Sequence, residues 1–332
     1  MTSPGTCPHP PILQPTTGDT ASDAGIVRVE RADGKENAVP SVSNSNKGIR
    51  ASLAKLVAAV GIEFRLLRAE RSLVVIIPLA VFIPNLELAF YRVVPEGSYS
   101  ATYATGTART LLFFLIGMTV FYVVESMQRD SEVRIGPVLW AKPIPNSVLL
   151  LSKFLATFLL MLSVIALTGL TAIAIQLLRG HAPVELYPYL VTYSLIVIPS
   201  VVFMAGVSIL LNVILREKYL AYVVIIGVGA VLLYLYSQGY NHWLYNPMLY
   251  QLWHYDDLTG AGNNQSIILT QRIYCLAASV ACLALAHILF QRKSTKGVKV
   301  DGHLTGRGWS ILLAVVSLTT AVSTGWIISS MH

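Results

Sequence analysis

The chain has 332 residues, of which 54% are hydrophobic and only 12% are charged. Soluble domains carry about 25% charged residues, so this composition excludes a protein surrounded only by water and predicts a polytopic, all-α helical membrane protein. The net charge of +7 could suit nucleic acid, but the basic residues flank apolar runs, which favours membrane lipid as their partner and argues against nucleic acid.

Residues 1–48 form a polar N-terminal tail. The stretch 1–46 is rich in Pro, Ser, Thr, Asn and Gly, and it lacks the apolar core of a signal peptide. It cannot bury enough apolar surface to offset the entropy of ordering, so we expect it to be disordered. Targeting to the membrane is then expected to come from the first spanning helix.

Apolar and charged residues alternate at helical spacing between Ile49 and Arg71. This pattern predicts an amphipathic helix with a basic polar face, lying in the cytoplasmic interface of the membrane. The alternative is a cytoplasmic extension of the first spanning helix. The charged positions of the pattern include Arg50, Lys55, Glu63, Arg65, Arg68 and Arg71.

Seven apolar runs follow, and a helix needs about 20 apolar residues to cross the hydrocarbon core. The last run is rich in Ser and Thr and comes after a basic linker. Small residues, Gly206 with Ser208 and Gly227 with Gly229, predict places where helices approach closely. The predicted spans are Ser72–Phe90, Leu111–Val124 with a slight extension at each end, Phe154–Leu178, Leu190–Leu215, Leu220–Tyr236, Ile267–Phe290 and Trp309–Met331.

The distribution of Lys and Arg predicts a cytoplasmic N-terminus. With that orientation, every cytoplasmic loop carries a basic cluster, whereas the outside loops keep only Arg92, Arg109, Arg179 and Arg272. We therefore expect a multi-pass plasma-membrane protein, in the inner membrane of a bacterium. If all seven runs cross the membrane, His332 lies outside.

The longest outside loop, Ser237–Ser266, contains no Lys or Arg but six Trp and Tyr residues. Aromatic residues of this kind prefer the headgroup level of the membrane. The composition predicts one or two short helices that dip into the outer leaflet, with Asn246 and Pro247 as the break between them. An ordinary soluble loop is the alternative.

Motifs for catalysis, metal binding or phosphate binding are missing from the sequence. There is no P-loop, no H-E-x-x-H, no C-x-x-C and no G-x-S-x-G. The spans carry almost no ionisable residues, which argues against an ion-coupled transporter. A membrane enzyme acting on lipids remains an alternative, because Asp256 and Asp257 lie near His242 and His254 in the aromatic loop.

A charged segment, Glu125–Lys153, separates the second and third spans. Pro137 suits the first turn of a helix, and Pro143 ends it, since Pro disfavours helix in the residue before it. Asn146 or Ser147 can then cap the third span. The sequence predicts a long helix, a short transverse helix in the cytoplasm and another long helix.

This arrangement resembles the ABC-2 type permease family, the membrane subunits of one class of ATP-binding cassette transporters. The likeness rests on the acidic and basic residues that leave the second span, on residues 138–145, and on residues 149–153. The segment Ile49–Arg71 is similar to the family's connecting helix, and the aromatic loop to its re-entrant pair. The likeness covers about Ile49–Arg292, while the long tail and the seventh span depart from it.

The resemblance implies a six-span permease domain over 49–292, followed by a basic cytoplasmic linker and an extra C-terminal helix over 293–332. It implies an export subunit without catalytic residues or bound cofactor, which works as a homodimer or heterodimer with a separate ABC-type ATPase that holds ATP and Mg. It further implies a coupling segment that binds the ATPase through Glu125, Arg129, Asp130, Pro137, Val138, Leu139, Trp140, Pro143 and Lys153.

Overall fold

A computed structural model describes residues 45–90, 99–132, 145–181, 183–239, 265–290 and 304–330. Residues 1–44 of the predicted tail, the segment 133–144, most of the aromatic loop and the basic linker lie outside these residues. The last four residues of the predicted tail, 45–48, are instead helical. Within the described residues, regular structure is helical and no strand occurs, which confirms the all-α prediction.

The described residues form eight helices, and each predicted apolar run corresponds to one of them. The bounds are α1 Ser45–Arg68, α2 Leu73–Phe90, α3 Tyr99–Glu132, α4 Asn146–Leu178, α5 Leu186–Leu215, α6 Lys218–Ser237, α7 Gln265–Leu289 and α8 Leu304–Ser330.

Five of these helices, α3, α4, α5, α7 and α8, are long and apolar enough to cross a membrane. The apolar stretches of α2 and α6 are shorter, at 10–17 residues. However, the complete helices have 18 and 20 residues, which corresponds to about 27 and 30 Å at 1.5 Å per residue. The chain is therefore a multi-pass membrane protein.

Helix α3 begins twelve residues before the predicted span, at Tyr99. Its first turns are rich in Ser, Thr, Ala and Gly and have low hydropathy, but Tyr103 and Thr107 in these turns are fully buried. The Thr107 hydroxyl donates a hydrogen bond to the Tyr103 carbonyl at 2.8 Å, which hides its polarity within the helix. Arg109, predicted in an outside loop, instead lies on the exposed face of α3.

Contacts between helix ends show that the helices alternate in direction. At one end, which we name the charged end, Glu63 of α1 contacts the last turns of α3 and the first turns of α4. At the other end, the tyrosine end, Tyr189 of α5 donates to Gln176 Oε1 near the end of α4, at 2.9 Å. Gln176 Nε2 in turn donates to Ser100 Oγ at the start of α3, at 3.0 Å.

Helix α3 packs against α2, α4, α5 and α6, α7 packs against α5, and α8 packs against α7. The predicted close approach at Gly206 is confirmed, because a Cβ atom there would lie 2.6 Å from Ser279 Oγ of α7. The same prediction for Gly227 and Gly229 is wrong for the part of the chain that the structure describes, since nothing there lies within 4 Å of a Cβ atom at either.

Arg272 lies inside α7 and not in an outside loop, which corrects both its predicted location and the statement that the spans carry almost no ionisable groups. Arg272 is only 2% exposed, and its Nη1 donates a hydrogen bond to Ser200 Oγ of α5 at 2.8 Å. Ser200 directly follows a π-helical turn of α5, Tyr193–Val197, and Pro199. The cation is tolerated within an otherwise apolar run because it faces a neighbouring helix and is hydrogen-bonded there.

Candidate functional site

Three charged side chains from three helices meet at the charged end. Glu63 of α1 accepts hydrogen bonds from Arg129 of α3, through Oε2 at 2.5 Å, and from Lys153 of α4, through Oε1 at 3.1 Å. The side chains of Lys153, Glu63 and Arg129 are 3%, 13% and 14% exposed. We name these residues the Glu63 cluster; it joins α1, α3 and α4 through largely dehydrated charges.

The burial of Lys153 is explained by its acceptors. Its Nζ donates to the Ser126 carbonyl oxygen as well as to Glu63. A buried ammonium group is stable only when it is paired and hydrogen-bonded. The Ser126 carbonyl belongs to the last two turns of α3, where the partial negative charge of the helix dipole also favours a cation. Glu63 and the end of α3 together therefore balance two positive charges.

A second pair of contacts ties the end of α3 to the following helices. Glu125 Oε2 lies 2.7 Å from Lys218 Nζ at the start of α6, in an ion pair that is more exposed than the Glu63 cluster. Gln128 Nε2 donates to Asn212 Oδ1, near the end of α5, at 3.0 Å.

The end of α3 is thus bonded to four helices within five residues. Glu125 binds α6, Ser126 binds α4, Gln128 binds α5 and Arg129 binds α1. Helix α3 ends at Glu132 and leads into residues 133–144, and α4 begins at Asn146. Both helices that flank this segment are therefore fixed at the point where they enter it.

The predicted coupling residues fall into two groups. Glu125, Arg129 and Lys153 lie at the charged end, and each makes an interhelical contact there. Asp130 belongs to α3, but its side chain lies outside the described set, as do the residues Pro137, Val138, Leu139, Trp140 and Pro143.

The predicted side-chain cap of α4 is wrong. Pro145 occupies the N-cap position, and no side chain caps the helix there. Asn146 instead directs its Nδ2 to the Phe290 carbonyl at the end of α7, at 3.5 Å. Tertiary contact takes the place of local capping, so the start of α4 is also held by α7.

Glu63 was not among the predicted site residues, because it was assigned to the polar face of the amphipathic helix. The sequence does carry a signal. Leu56, Val60, Glu63 and Leu67 follow one another at spacings of four, three and four, which places Glu63 within the apolar stripe of α1. An acidic residue on a stripe that packs needs a buried cation as partner, and Arg129 and Lys153 supply two.

Residues 59–235 match the family model described as an ABC-2 family transporter protein, which covers more than half of the chain. The chain belongs to the ABC-2 transporter family. No curated protein and no solved structure matches it. The matched range of this ABC-2 permease runs from α1 into α6 and includes the Glu63 cluster and the Glu125–Lys218 pair.

The match confirms the family that the charged segment and its flanking helices resemble, and with it an ABC transporter permease as the general function. Helices α7 and α8 of the permease lie beyond the matched range. The predicted extent of the permease domain, to residue 292, therefore stays a prediction for its last part.

Proposed function

We propose that this permease is the membrane subunit of an ABC exporter whose ATP hydrolysis takes place in a separate ATPase subunit. The ATPase binds residues 133–144, and ATP and Mg remain in that partner. Two copies, or this chain and a homologue, form the transport path in the plasma membrane. The charged end lies in the cytoplasm, on the side of the ATPase.

The single observation that supports this proposal most is the fixation of the end of α3 by four helices. A push on a short segment moves the spans only if the helix ends on either side do not yield locally. Breaking one partner of a buried ion pair costs about 3–5 kcal/mol, so the Glu63 cluster resists such local yielding. A displacement of residues 133–144 is then passed on to α1, α3 and α4 together.

The charge distribution at this end also fits a docking role. The interhelical contacts occupy Glu63, Glu125, Arg129 and Lys153 with one another or with Lys218. These charged residues therefore position residues 133–144, and the apolar residues Val138, Leu139 and Trp140 recognise the ATPase. A small apolar contact flanked by fixed helices is suited to transmitting force without a bond to the nucleotide.

The two alternative functions, a membrane enzyme acting on lipids and an ion-coupled transporter, gain no support from the described residues. The lipid-enzyme alternative depends on Asp256, Asp257 and two nearby histidines, all outside the described residues. Among the described residues, no group of three or more His, Cys, Asp or Glu side chains could hold a metal ion. Arg272 adds a buried cation to the spans, but an ion-coupled transporter calls for a buried carboxylate.

The proposal is tested by replacing Leu139 and Trp140 together with Asp. We expect the variant to insert normally but to lose the P-loop ATPase that co-purifies with the tagged parent permease, because two charges cannot enter an apolar groove. Membrane fractionation and affinity purification give the two measurements.

The matched control replaces Leu178 and Leu186 with Asp, two exposed apolar residues at the tyrosine end. This control should keep the ATPase. Absence of any P-loop ATPase from the purified parent permease, or equal loss from both variants, would count against the proposal.

A further inference from the structure

Helices α3 and α6 pack against each other in their halves near the charged end. On the face of α3 that meets α6, Val124 is fully buried and Val120 is 7% exposed. Both belong to one apolar cluster with Ala221 and Ile225 of α6, which are also buried. The contact between the two helices is therefore closed at this level.

The same two faces become exposed toward the tyrosine end. The face of α3 continues at helical spacing through Gly117 and Phe113 to Arg109. Phe113 is 47% exposed, and Gly117 and Arg109 are exposed as well. Val228 continues the face of α6 and is 54% exposed, and a Cβ atom at Gly117 would meet no described residue within 4 Å. The helices therefore separate, and a cleft opens between their halves near the tyrosine end.

Arg109 lies at the open end of this cleft, close to one boundary of the membrane. The Glu125–Lys218 ion pair marks the boundary at the charged end. Arg109 precedes Glu125 by sixteen residues, or about 24 Å along α3, whereas the hydrocarbon core is about 30 Å thick. The long guanidinium side chain can therefore reach the headgroup level at the tyrosine end, while Phe113 and Gly117 lie deeper.

A cation at the mouth of an apolar cleft fits an amphiphile with an acidic headgroup. The headgroup meets Arg109 at the membrane boundary, and the tail lies between α3 and α6. From Arg109 to Val120, where the cleft closes, the chain has eleven residues. They correspond to about 16 Å, which is close to the depth of one leaflet, half of a hydrocarbon core of about 30 Å.

A second copy of the chain is a poorer occupant of the cleft. A two-fold contact centred on this face would use the same patch on both copies and would bring two Arg109 side chains together. Like charges placed opposite each other oppose such a contact. Charge complementarity therefore favours an anionic ligand.

We propose that the cleft between α3 and α6, with Arg109 at its mouth, binds a long-chain amphiphile with an acidic headgroup, and that this amphiphile is cargo of the permease. The cleft is closed toward the charged end and open toward the tyrosine end, which suits release on the side away from the ATPase. The assignment as cargo rests on the proposed export function, whereas binding in the cleft does not require the ATPase.

The first test measures binding of a dansyl-labelled long-chain fatty acid to the full-length permease in phosphatidylcholine nanodiscs. Arg109→Gln should weaken binding about tenfold, the loss expected for one charge-assisted hydrogen bond. Arg109→Lys keeps the charge and should bind within about threefold of the parent. The methyl ester of the same probe carries no charge, so Arg109→Gln should leave its binding unchanged.

A pair of glycine variants tests the apolar part of the cleft. Gly117→Leu fills the cleft and should weaken binding of both the acid and the ester. Gly227→Leu is the matched control, because Gly227 follows Ile225 by two residues and so lies away from the α3 contact, and it is exposed with no described residue within 4 Å of a Cβ atom. This control should bind both probes like the parent.

Unchanged binding of the acid by Arg109→Gln would overturn the inference, as would equal loss in the two Leu variants. Gly117→Leu could instead change the dimer content in size-exclusion chromatography without changing probe binding. That result would also overturn the inference, because the cleft would then be a contact between copies.

The second test uses the complex of the permease with its co-purified ATPase. The long-chain acid should stimulate ATP hydrolysis by the parent complex and should fail to do so with Arg109→Gln. Binding that depends on Arg109 without any stimulation would identify a resident lipid and would overturn the assignment as cargo. Absence of a co-purified ATPase would contradict the proposed function, but the binding measurement in nanodiscs would still support or overturn the site.

Discussion

Glu63 binds two cations with one carboxylate, so its loss differs in kind from the loss of either partner. Without Glu63, Arg129 and Lys153 would remain as neighbouring like charges in a poorly hydrated site. Without Arg129, the pair of Glu63 with Lys153 would persist. The residue that organises the charged end is therefore the acidic one, on α1, although the basic ones flank the proposed coupling segment.

We expect Glu63→Gln to lower the free energy of unfolding by about 3–5 kcal/mol, the range for breaking a buried ion pair. Thermal melting of the detergent-purified permease measures the change. Glu125→Gln is the matched control, because its partner Lys218 is more exposed, and it should cost no more than about 1 kcal/mol. Equal effects of the two substitutions would show that the Glu63 cluster has no special weight.

The sequence predicts the residues of the charged end unevenly, and the reasons are physical. Arg129 and Lys153 could be found because they flank a Pro-containing segment between two apolar runs. Glu63 is distant in sequence by more than sixty residues, and only its place in an apolar stripe marks it. Arg272 was missed because a single cation at the start of a span resembles a loop residue when hydropathy alone is considered.

At the scale of helices, α5 shows how a polar side chain fixes one half of a span. Tyr193 is the first residue of the π-helical turn. Its hydroxyl oxygen lies 2.8 Å from the hydroxyl oxygen of Thr107 in α3, so the two groups form a hydrogen bond. The Tyr193 ring packs directly on Gly169 of α4, where a Cβ atom would lie 2.8 Å from Cε2. The half of α5 near the tyrosine end is thus held by α3 and α4 through one aromatic side chain.

Gly169→Ala should therefore force Tyr193 to move and weaken its hydrogen bond with Thr107, at a cost of about 1–3 kcal/mol for overpacking. Gly227→Ala is the matched control, because a Cβ atom there meets no described residue within 4 Å, and it should be neutral or slightly stabilising, by up to about 1 kcal/mol. Thermal melting distinguishes them, and the same melting temperature for both variants would contradict this account.

Helix boundaries were predictable where apolar runs end abruptly, as at Leu178 and Leu215. They were not predictable at the start of α3, where small and hydroxyl-bearing residues have low hydropathy but pack closely and bond within their own helix. The predicted side-chain cap of α4 was wrong for a related reason. Asn146 contacts α7 instead, and a contact with a helix so distant in the sequence cannot be predicted from the local residue pattern.

At the scale of the whole molecule, the described helices alternate in direction, so each helix end lies either at the charged end or at the tyrosine end of the bundle. The end of α3, the start of α4 and the connection α5–α6 lie at the charged end, and the end of α4 and the start of α5 lie at the tyrosine end. This order agrees with the alternation predicted from the basic residues. Which end faces the cytoplasm follows from the charge asymmetry, and we propose that it is the charged end.

Cysteine labelling in intact cells tests this orientation. In a permease with its three cysteines replaced by Ser, Gly180→Cys should react with a membrane-impermeant maleimide added outside, whereas Glu217→Cys should react only after the membrane is permeabilised. Both positions are exposed, at opposite ends of the bundle. The reverse pattern would place the charged end outside and would also exclude a cytoplasmic ATPase at residues 133–144.

The hydrogen bond between Arg272 and Ser200 lies near the middle of α5, a helix of 30 residues. Together with the contact of Gly206 and Ser279, it fixes the longitudinal register of two parallel helices at two heights. A slip of one helical turn, 5.4 Å, would carry a guanidinium group from its hydroxyl acceptor into hydrocarbon. Helices α5 and α7 are therefore expected to move together as one rigid body. If helices slide past one another during transport, we expect the sliding at other helix pairs.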